Sequence, residues 1–185
     1  MKLLAIFLAA GLVAAAAERL ALGPGTGNRM ALEVEKTGLM RGKKHVFRYE
    51  KFEGTVFYDG ANSRVEFWVD ATSAVCEDNW VDEKDRKKIL AEALKLTDAA
   101  RHPRLDFRST AVRPGAAGGF EVEGQLTIRG AAKPVKVQVR EKPGRVFEGT
   151  VKFPMSAWGI KPPSAALGAV GTKDEMTLQF TLAAR

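Results

Sequence analysis

One cysteine, Cys76, and two histidines, His45 and His102, are all that the 185 residues offer of the side chains most used in metal binding and thiol chemistry. A lone cysteine cannot close an intrachain disulfide, so the chain must depend on its apolar core. Nothing around Cys76 marks it as an activated thiolate, and a packed role is expected for it. The histidines lie far from the cysteine in sequence, and no spacing among the three resembles a zinc site. There is no Gly-x-Ser-x-Gly elbow, and no serine, histidine and acid stand out as a triad. Neither catalytic residues nor metal ligands nor a cofactor are therefore expected, and the chain does not read as an enzyme. Its one glycine-rich stretch, GPGTGN at 23–28, lacks the Lys-Ser/Thr of a phosphate loop and follows a run that reads as a signal peptide, so a flexible mature N-terminus is expected there.

Long hydrophobic runs are also scarce. The only one is MKLLAIFLAAGLVAAAA at 1–17, with one positive charge at Lys2 and small residues at its end. That layout is expected of a signal peptide cleaved after Ala17, placing the protein in the periplasm or outside the cell. The run is shorter than the roughly 20 residues a membrane span needs. Removing it takes away one lysine and leaves residues 18–185 with a net charge of about +6, a length suited to one domain. No internal repeat or linker divides them. The densest basic patch is RGKKH at 41–45, with Arg48 just beyond. Such a patch usually forms a solvated turn; export argues against nucleic acid, and peripheral contact with a membrane surface is compatible with the charge.

What the sequence has in quantity is alternation. In FEVEGQLTIRG, Phe120, Val122, Leu126 and Ile128 share one side, while Glu121, Glu123, Gln125, Thr127 and Arg129 share the other. The same period-two pattern runs through Val135, Val137 and Val139, through Phe147, Val151 and Phe153, and through Met176, Leu178, Phe180 and Leu182. MALEV, the segment from Val46 to Tyr58, RVEFWVDA and LDFRSTAV bring the total to about eight strands. Asp59-Gly60, Pro114-Gly115, Gly130 and Pro143-Gly144 supply the short turns that make neighbours antiparallel. One segment departs from the pattern. Ile89, Ala93, Leu96 and Ala100, with Leu90 and Leu94 beside them, predict an amphipathic helix from Glu83 to about Ala100, capped by Asp82 and stopped by Pro103.

Strands with a single apolar face bury it by stacking as a sandwich or by closing into a barrel, and closure alone removes exposed edges. The expected fold is mainly β: an eight-stranded antiparallel barrel rather than a sandwich, with one amphipathic helix packed on it. Carboxylates such as Glu33, Glu35, Glu121 and Glu123 fall on its wet outer face. Phe47, Phe67, Phe107, Phe153 and Phe180 fall on inner faces, as do Leu126, Ile128 and Val137. For any one of them core packing is the plain reading, but as a set they could enclose an elongated apolar ligand. The apolar loop AWGIKPPSAALGAVGTKDE at 157–175, with Trp158, Ile160, Leu167 and Val170, is expected along one rim, flanking the mouth.

HPRLDFRSTAV at 102–112, GQLTIRGAAKPV at 124–135, and FPMSAWGI followed by VGTKDEMTLQFTL resemble, in order and spacing, the YceI-like family of polyisoprenoid-binding proteins. FEGTVFYD and the acidic helix start ending at Asp85 fit the same pattern. The resemblance implies an exported, eight-stranded, lipocalin-like antiparallel β-barrel with a helix packed against it, whose tunnel holds a long isoprenoid, such as a polyprenyl chain or quinone tail, with Phe107, Leu126, Ile128, Phe153 and Trp158 at the tunnel or its mouth. Lys84 stands where the family usually has arginine, Ser156 lies near where another arginine is missing, and VCEDNW at 75–80 matches poorly. The function expected is a periplasmic carrier that sequesters such a lipid; a homodimer is compatible with it. The alternative is a side-chain-filled barrel acting as an envelope-stress interaction module through the RGKKH patch.

Overall fold

A computed structural model of the protein describes residues 17–59, 62–115 and 118–185. The expected leader up to residue 16, and Gly60 of the Asp59-Gly60 turn, lie outside the described residues. The strands are β1 (Glu18–Leu22), β2 (Arg29–Gly38), β3 (Lys44–Tyr49), β4 (Phe52–Tyr58), β5 (Arg64–Asp70) and β6 (Ala74–Cys76). After helix α1 (Glu83–Leu96) come β7 (Arg104–Pro114), β8 (Phe120–Ile128), β9 (Ala131–Lys142), β10 (Val146–Pro154), β11 (Ser164–Ala165) and β12 (Val170–Ala183).

The described residues thus form twelve strand segments where the sequence reading counts about eight strands, and kinks account for most of the difference. β3 and β4 are one run bent at Glu50-Lys51, because β3 pairs with β2 and β6 while β4 pairs with β1 and β5. β5 and β6 are likewise one run, broken by the short turn Ala71–Ser73 that the Asp70 carboxylate caps at the Thr72 amide. β1 and β2 flank the glycine-rich stretch at 23–28, where Asn28 donates to the Gly23 carbonyl and accepts from the Ala183 amide. β11 is a two-residue addition to β12.

Counted as continuous runs, the strands are eight, each antiparallel to its neighbour: β1/β2, β3/β4, β5/β6, β7, β8, β9, β10 and β12. The last pairs with the first through Met176↔Val34 to Thr181↔Arg29, and the ladder is extended where Ala21 and Arg185 exchange backbone hydrogen bonds of 3.2 and 2.9 Å. The sheet therefore curls back on itself, as one-sided apolar strands require. The β8–β9 turn illustrates the local chemistry: Arg129 and Gly130 both take positive φ, 53° and 75°, the two-residue geometry whose twist matches an antiparallel hairpin.

Helix α1 starts as its sequence predicts, with the Asp82 carboxylate accepting from the Asp85 amide at 2.8 Å. It ends at Leu96 rather than near Ala100, because Asp98 takes a left-handed φ of 52° and turns the chain, leaving Ala99 buried in the bend. Ile89, Leu90 and Ala93 pack on the barrel core beside Phe47 and Tyr49, so the helix covers one end of the barrel. Outside, Glu33 pairs with Lys44, Glu35 with Lys173, and Glu121 and Glu123 with Lys136. These exposed pairs contribute little each, about 0–1 kcal/mol.

Candidate ligand-binding lumen

The inward residue of each strand step decides what the barrel encloses. On β2 these are Met30, Leu32, Val34 and Lys36; on β7, Leu105 and Phe107; on β12, Met176, Leu178 and Phe180. They surround two apolar cavities. One, of about 130 Å³, is lined by Met30, Val65, Phe67, Phe107, Leu126, Val137, Val139, Leu178 and Phe180 among others. The second, of about 180 Å³, lies beneath α1 between Leu32, Val34, Phe47, Tyr49, Ile89, Leu90, Met155, Ile160 and Met176. Along β2, β7 and β12 the lining passes from one cavity to the other in a single inward step, at Met30 to Leu32, Phe107 to Leu105 and Leu178 to Met176. A step of two residues is about 6.6 Å, so the cavities are neighbours stacked along the barrel.

Space inside the first cavity depends on three inward glycines. Gly54 sits directly across from Phe67, Gly149 directly across from Phe180, and Gly124 beside Phe107. A Cβ on Gly54 or Gly149 would come within 2.2 Å of the facing ring, and one on Gly124 within 2.5 Å of Phe107. Each ring therefore lies flat against the wall over a glycine, and any larger residue there would push it into the lumen. The recurring Glu-Gly pair, at 53–54, 123–124 and 148–149, is the sequence trace of this device. The glutamate faces outward and the glycine inward.

Of the residues singled out from the sequence, Phe67, Phe107, Leu126, Val137 and Phe180 line the first cavity and Phe47 lines the second. Ile128, Phe153 and Trp158 line neither and belong to the buried cluster that also contains Met155 and Ile160. Trp158, 5% exposed, packs edge-on against Phe153 with ring centroids 5.3 Å apart, and its Nε1 donates to the Ala131 carbonyl at 2.9 Å. The segment read as a loop at 157–175 is shorter than that, because β12 already begins at Val170; within it Trp158 and Ile160 turn inward while Leu167 is fully exposed.

The helix-covered cavity has a polar corner that the sequence reading did not isolate. His45 and Lys36 line it, with Glu92, Thr97 and Thr172 at its margin. Beside it lies Asp78, the only buried charged residue among those described, 1% exposed. Asp78 Oδ2 is 2.6 Å from His45 Nδ1, and Oδ1 accepts from the Val46 amide at 2.8 Å. The Trp80 ring lies 5.5 Å from the imidazole. Cys76 is buried next to this pair, and burial pushes its thiol up from the ordinary value, which disfavours a reactive thiolate. The RGKKH patch is thus divided: His45 points inward, Lys44 pairs with Glu33 outside, and Arg41 and Lys43 are exposed on the turn.

Residues 27–184 match a family model described as YceI-like domain. A UPF0312 protein of Vibrio cholerae (serotype O1) is 29% identical over 133 residues, covering 64% of this chain and 66% of the relative. A UPF0312 protein of Pseudomonas putida (strain W619) is 28% identical over 129 residues, covering 63% of this chain and 64% of the relative. The match spans just under two thirds of the length of these curated relatives. Among solved structures, that of Burkholderia cenocepacia BcnA superposes with a TM-score of 0.60 over 83% of this chain and 94% of that one. At 22% sequence identity this is a likeness of fold.

Proposed function

The chain belongs to the YceI-like family, and on that footing we propose that it is a periplasmic binding or carrier protein for a long apolar isoprenoid-type lipid. A polyprenyl chain or a quinone tail would lie in the lumen, held by burial and without catalysis. The observation that carries this reading is the pair of stacked apolar cavities inside the curled sheet. A barrel working only as a surface module would have no need of such space, nor of glycines that hold Phe67, Phe107 and Phe180 against the wall.

The magnitudes favour a long ligand. Each buried CH₂ contributes about 0.8 kcal/mol, so ten carbons supply roughly 8 kcal/mol against an association cost of about 4–15 kcal/mol. Ten carbons come near balance, and a longer chain exceeds it. Such a chain would run from one cavity into the other past Leu32 and Leu105, at the step between them. Export by the leader at 1–17 would place the protein where it meets lipid from a membrane. Leu39 and Leu167 support peripheral contact there: they are exposed at 83% and 110%, on loops joined by the Leu39 amide donating to the Ala169 carbonyl, with Arg41 and Lys43 nearby.

Native mass spectrometry of the purified protein, before and after incubation with decaprenol, tests the reading. The expected result is a bound species of one chain per barrel that survives dilution. A protein that neither carries nor takes up any isoprenoid would overturn it.

A further inference from the structure

Lys36 continues the inward series Met30, Leu32 and Val34 of β2, so a cation stands where the alternation calls for an apolar side chain. Its ammonium makes no hydrogen bond or ion pair among the described residues. The nearest buried carboxylate, Asp78, is engaged by His45 and the Val46 amide, and Glu92 at the same margin forms no ion pair with it. Thr97 and Thr172 donate their hydroxyl protons to the Ala93 and Pro163 carbonyls, and neither oxygen accepts from the ammonium. The helix-side cavity therefore ends in one cation that makes no hydrogen bond or ion pair among the described residues, with the Asp78 charge acting on it only through space.

We propose that Lys36 is an anion-recognition residue, holding the terminal oxyanion of an amphiphile whose apolar chain runs from the helix-covered cavity into the first one. The inference rests on the lumen reading and names what that lumen selects: a chain ending in phosphate or carboxylate rather than a neutral alcohol. Its physical basis is that a half-buried ammonium has lost part of its hydration and forms a charge-assisted hydrogen bond more strongly than it would in water. Burial lowers the Lys36 pKa from its ordinary value, and the Asp78 charge offsets only part of that effect. An arriving oxyanion supplies the missing partner, while the lysine methylenes stay packed along the cavity wall.

The experiment compares farnesol, farnesyl phosphate and farnesoic acid by isothermal titration on the wild-type protein and on the Lys36→Met and Lys36→Arg variants. For the wild type, both anions are expected to bind at least about tenfold more tightly than farnesol. The larger of the two gains distinguishes phosphate from carboxylate. Lys36→Met should bring both anions to the affinity that the same variant has for farnesol, and Lys36→Arg should keep the preference. Lys36→Met should also raise the Tm of the unliganded protein by a few degrees, because it removes a partly desolvated charge that forms no ion pair. Equal binding of alcohol and anions to the wild type, or a preference that survives Lys36→Met, overturns the proposal while leaving the lumen reading intact. Failure of all three ligands to bind overturns both.

Discussion

Val137→Trp is expected to reduce uptake of an isoprenoid chain by at least about 100-fold while leaving the barrel folded. Val137 points into the first cavity from the middle of β9, where it is paired with Val122 of β8, and both residues are buried. An apolar cavity of about 150 Å³ is large enough to take up benzene. One of about 130 Å³ can therefore receive much of an indole in place of an isopropyl group. The ring then occupies the space through which the chain must pass. Filling an existing void removes unsatisfied contacts rather than adding overlap, so thermal stability should hold or rise slightly. Fluorescence titration with a polyene analogue of the chain, alongside a thermal melt, reads both quantities. Unchanged affinity in a folded variant would mean that the ligand does not enter this cavity.

Asp78→Ala is expected to have the largest effect on stability. The carboxylate is fully enclosed, and its removal strands the Val46 amide and the His45 Nδ1 position without their acceptor. Breaking a buried pair from one side costs about 3–5 kcal/mol, and for a domain of this size each kcal/mol is about 2–4 °C in Tm. A fall of roughly 6–20 °C is thus expected. Asp78→Asn keeps an acceptor for the amide and should lose about half as much. The neighbouring Glu77 pairs with Arg29 and Arg48 on the outer surface, so Glu77→Ala should lose only about 1 kcal/mol. Similar losses for Asp78→Ala and Glu77→Ala, measured by denaturant unfolding, would remove Asp78 from its structural role.

Alternation carried most of the fold because each strand exposes one face to water and one to the core. The run from Val46 to Tyr58 was legible as a single segment, whereas its kink at Glu50-Lys51 was not, since only the pairing partners on either side reveal it. The inward aromatic residues were legible for the same reason as the strands. Their orientation was not, because whether a phenylalanine fills a barrel or lies along its wall depends on the glycine opposite it on another strand. Trp158 shows the limit of reading a loop by hydropathy: its place is set by Phe153 and by the Ala131 carbonyl, 27 residues away. Lys36 and His45 could have been found by extending the alternation past Val34 and back from Phe47. Asp78 could not, for VCEDNW has no period and its burial is a product of the tertiary fold.

Intermolecular NOEs between methyl-labelled protein and unlabelled farnesol test directly whether the chain lies in the lumen. Contacts are expected from the chain to Val137, Val139 and Leu178 of the first cavity and to Leu32 and Ile89 of the second. Contacts confined to exposed residues such as Leu39 and Leu167, with silent lumen methyls, would contradict it.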